Sequence, residues 1–257
     1  MRDPGLDQAI RAAGGVGSLA KKIGISQPSV SNWSRVPAER VLTVEAVTGV
    51  SRDVLRPDLF GEAPGGNVDE VDTARAQEYA LLALTLSRAP DQALLDRLAG
   101  LRGDASPLGV AHVELAEAAS RTTTQCVERE YFDLFIGLGR GELLPYGSYY
   151  LTGFLHERPL ARLREGLARL GIERAPGQTE PEDHAAILCE IMAGLASRRF
   201  PVPAGAESEL FAQHLAPWIG RFFVDLERAE AADFYRRIGT VGRVFIDVET
   251  EAFALAS

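Results

Sequence analysis

Cysteine is nearly absent from this chain of 257 residues. Only Cys126 and Cys189 occur. Two thiols make neither a disulfide framework nor a zinc site. Lysine is as scarce, with Lys21 and Lys22 alone, and methionine and tryptophan each occur twice. No long apolar run opens the chain, and none approaches the ~20 residues of a membrane span. The expectation is a protein without membrane insertion, in a reducing cytoplasm. There is no internal repeat and no low-complexity tract.

Charge is unevenly spread. Residues 1–60 carry eight basic and six acidic side chains, net +2, whereas residues 61–257 carry 19 and 30, net −11. That asymmetry predicts two modules with different partners. The acidic part should repel nucleic acid and anionic lipid, and attract basic ligands. Gly61-Glu62-Ala63-Pro64-Gly65-Gly66-Asn67 and the acidic run after it predict a flexible linker over residues 61–71.

In the first module, residues 6–13 and 16–23 read as two helices separated by Gly14-Gly15. Gly24 suits a left-handed turn. Ser26 caps a third helix over about 27–36, with Pro28 in its first turn, and Val30 and Trp33 face inward. Residues 40–48 give a fourth helix. The words Gly24-Ile25-Ser26-Gln27-Pro28-Ser29-Val30-Ser31-Asn32-Trp33 resemble the helix-turn-helix of Cro-type and YdaS-type repressors over roughly residues 4–60. That resemblance implies a third helix entering the DNA major groove. Gln27, Ser29, Ser31, Asn32 and Arg35 would then face the bases, and Lys21 and Lys22 the phosphates. Binding of a two-fold site would need a homodimer. The alternative is a helical bundle that mediates contact only.

From residue 72 onward the pattern is helical. Tyr79, Leu82, Ala83 and Leu86 repeat at i, i+3, i+4, i+7. Prolines fall near element starts, and Ala, Leu, Arg and Glu fill the segments between them. The β-prone Val244-Phe245-Ile246 sits inside a longer helical pattern. An all-α bundle of eight to ten helices is expected. Tyr131, Phe132 and Phe135 read as core, as does Cys189. Tyr146 and Ser148 follow Pro145, where they could line a surface groove. Thr179 predicts a helix cap with Glu182 as its capping-box partner. Asp183 and His184 would then lie in the first helical turn, too polar to be core.

Four motifs stand in order: Glu130-Tyr131-x-x-Leu134-Phe135-x-Gly137, Pro145-Tyr146-x-Ser148-x-Tyr150, Glu180-Pro181-x-Asp183-His184, and Phe211-x-x-His214-Leu215-x-Pro217-Trp218. Together they resemble the TorD/DmsD family of redox-enzyme maturation chaperones over about residues 72–255. The first module is a departure from that family. The resemblance implies an all-helical, non-enzymatic protein without a cofactor. Its partner would be the twin-arginine signal peptide, and the apo-form, of a molybdenum-cofactor enzyme. On that resemblance the client would be a molybdoenzyme such as formate dehydrogenase or a dimethyl sulfoxide or trimethylamine oxide reductase. Asp183 would pair with a leader arginine and His184 would orient it. Glu180 would take the second arginine, and Tyr146 and Ser148 would hold the peptide backbone. Pro181, His214 and Trp218 complete the motif set. Two alternatives stay open. A metal could sit among Glu180, Asp183, His184 and His214, although no His-x-x-x-His or Cys-x-x-Cys spacing supports it. Or the protein is a transcription regulator whose helical part only senses or dimerises.

Overall fold

The computed structural model describes residues 2–56, 70–175 and 177–255. The chain divides into two compact units, residues 1–67 and 68–257. Among the described residues there is no β-strand, only one isolated bridge between Tyr146 and His184. No described helix is long and apolar enough to cross a membrane.

The first unit holds α1 (Pro4–Ala13), α2 (Val16–Lys22), α3 (Gln27–Ser31), α4 (Val41–Thr48) and α5 (Arg52–Leu55). Asp3 caps α1 and Gly14 ends it in the left-handed region. Leu6, Leu19, Ala20, Val30, Val41 and Leu55 form its core, with Trp33 partly buried against them. Ser26 caps α3 through Ser29 N–H, and Pro28 lies in its first turn. The third helix is shorter than expected and stops at Ser31, not near residue 36. Burial explains the early stop. Val36 is drawn fully into the core, and its carbonyl accepts from the Arg56 guanidinium at 2.8 Å. The Ser34 carbonyl is held by Asp3 N–H at 2.8 Å. Those tertiary bonds hold residues 34–36 outside the helix, and Val36, directly before Pro37, is disfavoured from helical backbone as well.

The second unit contributes ten α-helices among its described residues. They are α6 (Glu70–Ser87), α7 (Gln92–Ala99), α8 (Pro107–Arg121), α9 (Thr124–Tyr131), α10 (Gly147–Thr152), α11 (Arg158–Arg169), α12 (Ala185–Ala196), α13 (Ala206–Leu210), α14 (Ile219–Arg228) and α15 (Phe234–Leu255). Val244, Phe245 and Ile246 lie inside α15, as the helical pattern requires. The expected linker lies outside the described residues except for Glu70 and Val71, which open α6.

α12 is apolar almost all round, which suits a helix enclosed by others. It packs along α6, while α14 packs on α15. Cys189 is fully buried in α12, and burial pushes its thiol up to about 12. Phe132, expected in the core, is exposed, because the chain switches to a π-turn over Phe132–Ile136. A charged knot fastens the start of α6. Arg75 pairs with both oxygens of the buried Glu249 at 2.7 Å, and also with Glu207 and Asp72. Tyr79 donates to the same Glu249 at 2.8 Å. A buried carboxylate needs that many donors to be tolerated.

Candidate functional site

Two stretches far apart in sequence meet beside α12. Gly147 N–H donates to the Asp183 carbonyl at 2.9 Å, and Ala185 N–H to the Pro145 carbonyl at 2.8 Å. This short antiparallel contact keeps His184 extended, at φ −67° and ψ 137°, just after the turn at Asp183, so no helix can run through residues 183 and 184. The expected cap at Thr179 is therefore incorrect. α12 starts at Ala185, and its cap is His184, whose Nδ1 accepts from Ala186 N–H at 3.1 Å. An Nδ1 that accepts carries no proton, so the imidazole is neutral with its proton on Nε2. Burial agrees, lowering the His184 pKa to about 4 against the opposing pull of Glu180 and Asp183.

Asp183 and His184 are also not the exposed polar turn that was expected; they are 3% and 6% exposed. Asp183 Oδ2 accepts from Ser148 N–H at 2.7 Å, at the first turn of α10. Its Oδ1 and the Ser148 hydroxyl have no hydrogen-bond partner. Ser148 is buried rather than lining a groove. Tyr146 is half-buried. Its hydroxyl donates to Glu180 Oε2 at 2.6 Å, and its ring meets the His184 ring edge-on at 5.0 Å. Trp218 lies beneath, donating to the His214 carbonyl at 2.7 Å. A Cβ on Gly147 would come to 3.0 Å from its indole nitrogen, so a larger residue there would force the buried ring to shift by a few tenths of an ångström. Pro181 closes the turn, its carbonyl accepting from His184 N–H at 3.1 Å.

The eight residues gather around one wall with a cleft on each side. One cleft, of about 650 Å³, has Glu180, His184 and Glu190 on one side and Ala80, Ala83 and Leu84 of α6 on the other. Arg88 and Arg199 also reach it. The second cleft, of about 380 Å³, takes Asp183, Gly147 and His214 together with Arg162, Arg169 and Glu165. The His214 pKa is lowered, first by burial and then by Arg169, with Arg162 adding to it. Among the described residues no group of three or more His, Cys, Asp or Glu is arranged to hold a metal.

Two carboxylates that the motif reading left without a role bind distant backbone N–H groups. Glu130 accepts from the N–H groups of Asp233, Phe234 and Tyr235 at 2.6–3.2 Å, satisfying the start of α15. Glu142 accepts from Glu230 and Ala231 N–H in the turn between α14 and α15. In the first unit, Lys21, Lys22, Gln27, Ser29, Ser31, Asn32 and Arg35 are all exposed. The Ser29 hydroxyl is already engaged with that of Ser26 at 2.7 Å.

Comparison with known proteins follows the same division. Residues 102–224 match the family described as nitrate reductase delta subunit, and residues 6–64 match the bacterial toxin YdaS family. The chaperone protein TorD of Vibrio cholerae is 30% identical over 126 residues, covering 46% of this chain. TorD of Vibrio atlanticus is 25% identical over 204 residues, covering 70% of this chain and 94% of that protein. The second unit is a TorD-like helical bundle. The match to the V. cholerae protein spans 57% of that protein's length. A crystal structure described as that of a redox enzyme maturation protein from Archaeoglobus fulgidus aligns with a TM-score of 0.49 and 19% identity, covering 70% of this chain and 95% of that one. The TorD-like unit thus carries the four motifs, and the first unit is YdaS-like.

Proposed function

We propose that the TorD-like unit is a cytoplasmic maturation chaperone for a molybdenum-cofactor redox enzyme, holding the twin-arginine leader of the apo-enzyme before cofactor loading and export. The similarity to TorD supports the chaperone role. One observation carries the leader-binding part: Tyr146 bonds Glu180 and stacks edge-on against His184, and both of those partners line a cleft with an apolar wall. Such a leader presents two adjacent arginines and then an apolar segment. Tyr146 engages one Glu180 oxygen and leaves the other for a guanidinium. Glu190 is exposed and offers a second carboxylate. Ala80, Ala83, Leu84 and Ile187 suit the apolar segment. Arg88 and Arg199 balance these acids locally, so long-range attraction comes from the net −11 of residues 61–257.

Within this reading His184, Pro181, Asp183, Ser148 and Trp218 fix the wall that carries Glu180, and His214 faces the neighbouring cleft. The test is calorimetric titration of a twin-arginine leader and its twin-lysine variant into wild type and Glu180→Gln. Loss of one charge-assisted contact is worth ~1.5–3 kcal/mol, a roughly ten- to hundredfold weakening. An unchanged affinity in Glu180→Gln would sink the assignment.

A second reading, regulation of transcription, concerns the YdaS-like unit. The seven exposed polar side chains on and around α3 favour DNA contact by a homodimer. Lys22→Ala should weaken all duplexes about equally, and Asn32→Ala should blur preference at one base pair. A selection that enriches no sequence leaves this unit as an adaptor.

A further inference from the structure

The TorD-like unit turns an apolar knob to solvent between α10 and α11. Residues 151–158 are exposed without interruption. They include Leu151, Phe154 and Leu155, and Phe154 is 69% exposed. The turn that carries them is well bonded. Gly153 ends α10 at φ 84°, and Tyr149 accepts its N–H at 2.7 Å. The Thr152 hydroxyl donates to the Ser148 carbonyl at 2.8 Å and accepts from Phe154 N–H at 3.2 Å. The apolar side chains are held outward by structure, and three large ones together at one edge are the mark of an interaction surface.

α11 sets charge beside the knob. Leu160, Leu163 and Leu167 face the core. Arg158, Arg162, Glu165 and Arg169 follow at spacings of four, three and four, which aligns them on the opposite face. None of the three arginines has a side-chain partner among the described residues. Arg162 and Arg169 enter the 380 Å³ cleft, whose rim includes Leu151 and Pro159. Their charge is felt there, since both lower the pKa of His214. Glu165 and the buried Asp183 carboxylate face the same cleft.

An unpaired cationic stripe beside an apolar knob is out of keeping with a region of net −11. We infer that this edge docks an acidic amphipathic helix of a partner protein. Partner carboxylates would meet Arg158, Arg162 and Arg169, and partner apolar side chains would cover Leu151, Phe154 and Leu155. The arginines stand four and seven residues apart, with Glu165 at the turn between, which matches partner carboxylates placed one and two turns apart along a helix. A twin-arginine leader is excluded here by its own positive charge. An anionic membrane is disfavoured because a plane extends beyond the stripe to the rest of an acidic unit, whereas a single helix can stay on the stripe.

The probe is a synthetic 18-residue helix with leucine at i, i+3, i+4 and i+7 spacing and glutamate elsewhere, against a scrambled peptide of the same composition. Binding to the full chain is read by fluorescence anisotropy. The ordered peptide should bind more tightly than the scrambled one, and more weakly as salt rises. Phe154→Asp, and separately the pair Arg162→Glu and Arg169→Glu, should each weaken it about tenfold or more. All three side chains are exposed, so melting temperatures should hold, and Phe154→Asp should leave twin-arginine leader binding unchanged. Absence of binding, or equal binding to wild type and variants, overturns the inference. So does Phe154-dependent sedimentation with phosphatidylglycerol vesicles in place of peptide binding, which would assign the edge to lipid.

Discussion

His184 makes the stability of the TorD-like unit depend on acid in a calculable way. Its imidazole is 6% exposed, caps α12 as a neutral acceptor, and has a pKa of about 4 because burial disfavours its charged form. In the unfolded chain a histidine titrates near 6.5. Between those values the unfolded state holds a proton that the folded state does not. Stability therefore falls as pH drops from about 6.5 toward 4, by up to 1.4 kcal/mol per pH unit and about 3 kcal/mol in all. His184→Asn isolates the effect, because asparagine also caps helices but does not titrate. At pH 7 the variant should be less stable, having lost the ring contact with Tyr146 at 5.0 Å. On acidification it should lose less than wild type, so the gap closes or reverses. Carboxylates contribute equally to both curves. So does His112, whose raised pKa from its bond to Glu78 adds stability below about 6.5 that is lost at higher pH. Urea melts of both proteins every half pH unit from 4 to 8 supply the difference. Parallel curves across that range would refute a neutral, proton-excluding His184.

Two further outcomes follow from the geometry. Asp183→Ala removes the acceptor of the buried Ser148 N–H and should lower unfolding free energy by about 1–3 kcal/mol, whereas Asp183→Asn, keeping an oxygen, should cost less; equal melts would deny the clamp. Trp33→Ala should destabilise the YdaS-like unit by roughly 2 kcal/mol, below the ~3–5 kcal/mol of a fully enclosed tryptophan, because the ring is only partly buried. An unchanged circular dichroism melt of that unit would contradict its packing.

Local chemistry was legible in the sequence and long-range pairing was not. Ser26 with Pro28, the Gly14 stop of α1, the buried stripe of α12 and the helical setting of Phe245 all depend on neighbours within a few residues. The Thr179 cap looked equally sound on local grounds. It fails because Pro145 and Gly147, more than thirty residues away, bond the backbone of residues 183 and 185 and fix where α12 can begin. Glu130 illustrates the same limit. Its motif position was visible, but its partners at 233–235 lie about a hundred residues on. Likewise the length of α3 is set by the burial of Val36, a tertiary demand that propensity does not register.

The step from the turn at Asp183 to the extended, bridged His184 also explains why two adjacent polar residues belong to different clefts. Asp183 accordingly faces Arg162, Arg169 and His214, while His184 faces Glu180 and Glu190. Had Thr179 capped a helix through this stretch, the two would lie about 100° apart on one helical surface and could converge on one ligand. The bridge with Tyr146 instead makes them the two faces of a single wall. Under the proposed assignments, charge then sorts the occupants. The His184 side combines carboxylates with an apolar lining, which suits a cationic, partly apolar segment. The Asp183 side combines two unpaired arginines with an exposed leucine at the rim, which suits an anionic one. Reading the Asp-His pair as one binding unit therefore merges two environments that the backbone keeps apart.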